Sequence, residues 1–163
     1  MVYWIMLMIG LLGLDQLTKY LVLQHFSHQG ESVTVIPGFF DFTYVRNDGA
    51  VFGLGGGNNI SIYLFVFAAI IALALFTIFF VRANFRDKRE TWFILSLSLL
   101  IPGTLGNLID RVSQPDHAVI DFFDFYAIWD YVFNVADICL TVGIALFMFD
   151  QLILEPKRAK QDA

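Results

Sequence analysis

The chain has 163 residues, 58% of them hydrophobic, with 18 Phe and only 15% charged side chains. Soluble domains carry about 25% charged residues, so this balance argues against a soluble enzyme, a disordered chain and a nucleic-acid binder. The length allows a single domain over residues 1–163, and the net charge of −5 says little, because in a membrane protein the position of each charge outweighs the sum.

Four segments reach the roughly 20 apolar residues that cross a bilayer. The first covers about residues 2–23 and carries Asp15, Gln16, Thr18 and Lys19. No basic residue precedes its apolar run and no small-residue cleavage site follows, so it reads as a retained membrane helix rather than a signal peptide. Residues 33–52 are then rich in β-branched and aromatic side chains, broken by Pro37-Gly38 and Asp48-Gly49. That composition predicts a small β-rich segment over about 33–56, and residues 53–59 read as a flexible glycine-rich connection. The second span, about 60–81, has no charge at all. The third, about 91–109, holds Pro102, Gly103, Gly106 and Asn107, and the fourth, about 130–149, holds Asn134 and Asp137. Residues 157–163 read as a solvated tail. Residues 35–42 and 119–125 look alike and are taken as two aromatic interface segments. Trp4, Trp92 and Trp129 fall near span ends, as an aromatic belt would.

Only helices and closed barrels satisfy backbone polar groups in lipid. Runs this long without period-2 alternation predict helices. The expected fold class is an all-α polytopic membrane protein, with four transmembrane helices and a small outward-facing β-rich segment between helices one and two. Arg82, Arg86, Lys88 and Arg89 lie between spans two and three, and Lys157, Arg158 and Lys160 follow span four. The other two loops hold only Arg46 and Arg111. The positive-inside rule then places both termini in the cytoplasm and residues 24–59 and 110–129 outside.

Ionisable groups in membrane spans are costly and by default mark function. Here they gather toward one side: Asp15 and Lys19 at the outer end of span one, Asn107, Asp110 and Arg111 at that of span three, Asp121 in the loop, Asn134 and Asp137 in span four. The cytoplasmic halves of spans two to four hold almost nothing polar. Asn134 and Asp137 are three apart and share a helix face. A second carboxylate beside Asp137 would raise one of the two pKa values, and a pair sharing one proton can activate water and protonate a leaving amine. The plainer alternative is an Asp137 satisfied by interhelical hydrogen bonds. Asp121 by itself reads more readily as a solvated loop acid than as a functional one, and Asp116 and Asp124 more readily still. Asp15 and Lys19, spaced i, i+4, read either as a functional pair or as a local ion pair with Lys19 snorkelling outward. Arg111 suits either a carboxylate or phosphate partner or an interface anchor. Arg46-Asn47-Asp48-Gly49 is a plain turn signal. His25, His28 and His117 have no ligand spacing, Ser96 and Ser98 have no matching His, and the lone Cys139 allows no internal disulfide.

In order, Asp15-Gln16-Leu17-Thr18-Lys19, Arg46-Asn47-Asp48-Gly49-Ala50-Val51-Phe52-Gly53, Gly103-Thr104-Leu105-Gly106-Asn107-Leu108-Ile109-Asp110-Arg111, Val119-Ile120-Asp121-Phe122 and Phe133-Asn134-Val135-Ala136-Asp137 resemble five blocks of the lipoprotein (type II) signal peptidases. Each block alone is weak, but five in order in a membrane context are specific. Two places depart from the pattern: the stretch before Asp121, with Gln114-Pro115-Asp116-His117, and the glycine-rich run. The resemblance implies an aspartic intramembrane endopeptidase of the bacterial inner membrane. It would remove signal peptides from diacylglyceryl-modified prolipoproteins, cutting just before the lipidated cysteine. It implies a catalytic dyad of Asp121 and Asp137. Asn47, Asn107, Arg111 and Asn134 would bind substrate or support the dyad, with Asp15 as a further polar residue. It implies no cofactor and no metal; the expected partners are prolipoproteins and membrane lipids, not nucleic acid, and the expected state is a monomer. The rival readings are an ion or proton transporter and a non-catalytic membrane subunit.

Overall fold

The computed structural model describes residues 1–49 and 59–161. The end of the β-rich stretch and all of the glycine-rich connection except Asn59 lie outside the described residues. The elements run α1 (Val2–His25), β1 (Ser32–Ile36), β2 (Phe40–Asn47), α2 (Asn59–Arg82), α3 (Thr91–Ser113), β3 (Val119–Asp124) and α4 (Val135–Phe149). One π-helical turn, Asp150–Leu154, joins α4 to α5 (Glu155–Gln161).

Among the described residues, four helices are long and apolar enough to cross a membrane. α2 leaves Tyr63, Leu64, Phe67, Ile70 and Ile71 exposed. So large an apolar face is stable in lipid and a liability in water, and the chain is a multi-pass membrane protein. α3 is the central helix and packs on α1, α2 and α4. Lipid gives apolar side chains no reason to leave it, so such helices join through close van der Waals contact between small residues. A Cβ on Gly103 would stand 2.8 Å from the Ala136 carbonyl oxygen, and one on Gly143 would stand 2.9 Å from Leu100 Cγ. One apolar core, around Phe80, Ile94, Leu97 and Leu100, fills the end away from the sheet; another, around Val22, Phe26, Tyr44, Ile120, Phe122 and Val135, joins the helices to the sheet.

The sheet is antiparallel in the order β1-β2-β3. β1 and β2 form a hairpin whose turn uses Gly38 at φ 77°, a backbone region that favours glycine. β3 comes from the loop between α3 and α4, so the β-structure is not confined to the segment between the first two helices. It pairs with β2 as Val45↔Asp121, Arg46↔Ile120 and Asn47↔Val119. The two look-alike aromatic segments meet across one sheet, with Phe42 opposite Phe123.

One span boundary differs from the sequence expectation for a local reason. α4 starts at Val135, not near 130. Asn134 Oδ1 accepts the Asp137 N–H at 2.9 Å, and Asp137 Oδ2 accepts the Asn134 N–H at 3.1 Å, a capping box that sets the first turn. Phe133 instead pairs its backbone with Phe123. Beyond α4 the tail is exposed as expected except at Arg158, and it is helical through Gln161. Arg158 reaches back to the fully buried Asp150 with two bonds of 2.9 and 2.7 Å, and also donates to the Arg89 carbonyl at 2.7 Å.

Candidate active site

Strand β3 carries Asp121 into the junction of α1, α3 and α4, where it is 1% exposed. Its Oδ1 accepts Asn134 Nδ2 at 2.6 Å and its Oδ2 accepts Asn47 Nδ2 at 2.9 Å. Asp137, in the first turn of α4, accepts Asn107 Nδ2 on Oδ1 at 2.7 Å and the Asn134 backbone N–H on Oδ2. Asn134 thus serves both carboxylates, one with its side chain and the other with its main chain. Asn107 completes the link, since its Oδ1 accepts Asn134 Nδ2 at 3.1 Å. Each acid receives two N–H donors, which hold it in one orientation.

Burial raises the Asp121 carboxyl to about 7, the Asp137 charge adds to the rise, and the Asn47 and Asn134 bonds oppose it. A proton held more tightly in the folded state stabilises that state at low pH. The contribution is complete below the ordinary value of 3.8 and is lost as pH rises through about 7. Wild type should therefore lose melting temperature over that window relative to Asp121→Asn. Parallel curves of Tm against pH for the two proteins would refute this.

Behind the pair stands Lys19, 2% exposed. Its Nζ lies 3.0 Å from Asp15 Oδ2 and 2.8 Å from Asp110 Oδ2, and it donates to Asn107 Oδ1 at 3.0 Å. Lys19 does not snorkel outward: two buried carboxylates and an amide oxygen hold its ammonium more favourably than the interface can. Asp15 Oδ1 also accepts the Ala136 N–H at 2.9 Å, and Asp110 Oδ2 accepts the Ile120 N–H at 3.2 Å. Gln16 donates to Asp15 Oδ2 and to the Gly106 carbonyl. Arg111 donates to the Gly49 carbonyl at 2.8 Å, and its guanidinium lies 5.8 Å from the centre of the Phe65 ring. Its charge acts on Asp121 and Asp137 across the site.

All seven residues named from the sequence, Asp15, Asn47, Asn107, Arg111, Asp121, Asn134 and Asp137, meet in this one region. Arg46 and Asn47 are not a plain turn; both are in β2. Asp124 instead accepts Thr43 Oγ1 at 2.7 Å, and Asp116 pairs with Arg46, so both brace the sheet. Ser96 and Ser98 bond to the carbonyls of Phe93 and Ile94 within their own helix. His25, His28 and His117 are exposed. Lys19 and Asp110, polar span residues outside the expected set of site residues, also belong to the site. The signals were present: the i, i+4 spacing of Asp15 and Lys19, and the place of Asp110 one residue before Arg111.

Residues 7–153 match the family model described as Signal peptidase (SPase) II. A lipoprotein signal peptidase of Desulfitobacterium hafniense is 40% identical over 164 residues, covering 99% of this chain and 100% of that protein. One from Clostridioides difficile is 38% identical over 154 residues, covering 94% of this chain and 97% of that one. A bacterial membrane enzyme solved by the in meso method at 1.9 Å resolution superposes with a TM-score of 0.79 at 32% identity, over 94% of each chain. The matched span contains every residue of the site, and likeness of this extent leaves one conclusion: the chain belongs to the signal peptidase II family.

Proposed function

We propose that this protein is an aspartic intramembrane endopeptidase that cuts diacylglyceryl-modified bacterial prolipoproteins just before the lipidated cysteine. The observation that carries the reading is the pair of buried carboxylates, Asp121 and Asp137, linked through Asn134. The ionised member of the pair takes a proton from water as that water attacks the scissile carbonyl. The protonated member gives its proton to the departing amide nitrogen. The two acids titrate as a unit, so the roles belong to the pair. Asn47, Asn107 and Asn134 hold the carboxylates, and Arg111 offers a positive charge beside them. One chain supplies all these groups, which is consistent with a monomer.

The distribution of basic residues supports an orientation with both termini in the cytoplasm and the sheet outside. The substrate is itself a membrane helix with a lipid at the cut. Its scissile bond then meets the site near the outer interface, where water is available. A transporter needs polar steps across the whole bilayer. Here the polar site at the sheet end and the Asp150–Arg158 pair at the far end are separated by an apolar core of Ile94, Leu97 and Leu100.

The test uses purified protein in lipid, with a synthetic prolipoprotein carrying diacylglyceryl-cysteine and the same peptide without the lipid. Cleavage before the modified cysteine, and only when it is modified, is the expected result. No cleavage of either peptide by well-folded protein would overturn the assignment.

A further inference from the structure

The dyad is held from behind as well as from its flanks. Asp15 accepts the N–H of Ala136, the residue immediately before Asp137. Asp110 accepts the N–H of Ile120, the residue immediately before Asp121. These two carboxylates come from different helices, α1 and α3, yet both close on the same ammonium, that of Lys19. The third Lys19 contact, Asn107 Oδ1, fixes which way the Asn107 amide points. With its oxygen toward Lys19 and Asn134, its nitrogen is left for Asp137. A flipped amide would turn its nitrogen toward Lys19 and its oxygen toward the Asp137 carboxylate, both repulsive.

We propose that Lys19 is a positioning residue for the two aspartates: its ammonium gathers the carboxylates that clamp the backbone ahead of Asp121 and Asp137, and the amide that meets Asp137 directly. This rests on the dyad reading above. Lys19 makes no ion pair with Asp121 or Asp137, so it positions them through Asp15, Asp110 and Asn107, while its charge also favours the Asp121 carboxylate through space. A buried ion pair placed only for stability has no need of such an arrangement, since two well-packed apolar residues often do as well. The charged groups facing this cluster are Asp15 from α1, Asp110 and Arg111 from α3, Asp121 from β3 and Asp137 from α4.

The test compares Lys19→Met and the charge-balanced double variant Lys19→Met/Asp110→Asn with wild type and Asp137→Asn, on the lipidated peptide. Far-UV circular dichroism and melting identify the folded fraction. In that fraction kcat should fall about 100-fold, the loss that a misplacement of about 1 Å produces, with KM little changed. In Lys19→Met the pH–rate profile should also move to higher pH, because the charge that favours the Asp121 carboxylate is gone. The shift should be smaller in the double variant, which loses a negative charge as well. Wild-type kcat and an unmoved pH profile in either folded variant would overturn the proposal. Complete failure of both variants to fold would also overturn it, in favour of a purely structural ammonium. An active Asp137→Asn protein would remove the dyad reading and this proposal with it. The activity of the Lys19 variants beside a dead Asp137→Asn protein bears on Lys19 alone.

Discussion

Asp137→Asn should cleave the diacylglyceryl-modified peptide roughly 10²–10⁴-fold more slowly than wild type, the range lost with a general acid or base. An amide of the same shape neither shuttles a proton nor shares one with Asp121. The fold should survive. The Asn107 Nδ2 bond to Oδ1, 2.7 Å in the wild type, can be kept by an amide oxygen. The bond that suffers is the one from the Asn134 N–H to Oδ2, half of the capping box. A lost cap costs about 1 kcal/mol, so the melting temperature should drop by a few degrees at most while activity collapses. Rate and melting curve measured on one preparation separate the two effects. A folded and active Asp137→Asn protein would leave a peptidase without this dyad. An inactive one that has also unfolded would speak for the non-catalytic subunit.

Gly106→Val should prevent the bundle from closing. A Cβ at Gly106 would stand 2.5 Å from Asp15 Oδ2 and 3.1 Å from the Ala136 Cβ. Asp15 has little freedom to retreat, because Ala136 holds one of its oxygens and Lys19 the other. Overpacking alone costs about 1–3 kcal/mol. Forcing Asp15 from Lys19 leaves buried charge short of its partner, and breaking such pairs costs about 3–5 kcal/mol. Together these approach the whole stability of a typical domain, about 5–15 kcal/mol. The expected outcome is little or no monodisperse protein on size exclusion after detergent extraction. Gly13 provides the control, because a Cβ there meets nothing within 4 Å. Gly13→Ala should purify and cleave like wild type. Normal yield and melting temperature for Gly106→Val would mean that α1, α3 and α4 have slack the packing does not suggest.

The architecture in the membrane was legible residue by residue. Span length and the absence of charge in α2 are local properties. In lipid a local apolar run has almost no choice but to be a helix, because nothing outside it can satisfy its backbone. The polar asymmetry was legible for the same reason, since an Asp or Lys inside a span stands out against its neighbours. The five blocks added the choice of Asp121 among three loop acids that look alike. Their surroundings now differ plainly: Asn47 and Asn134 meet Asp121, while Asp116 and Asp124 turn to Arg46 and Thr43.

Partnership was not legible, because it depends on atoms distant in sequence and equally satisfiable elsewhere. The chain by itself left β3 as a loop, for its strand partner Val45–Asn47 lies more than seventy residues earlier. It let Lys19 snorkel, because Asp110 and Asn107, which keep it inside, belong to another helix. It began α4 too early, because hydropathy cannot see that Phe133 is spent on Phe123 and that Asn134 caps the turn. It left Arg158 in solvent, because only the folded bundle puts a buried Asp150 within its reach. Burial in a membrane span is settled locally by the cost of exposing backbone to lipid. The pairing of buried charges is settled globally, by which helices the small residues Gly103, Gly106 and Gly143 allow to touch.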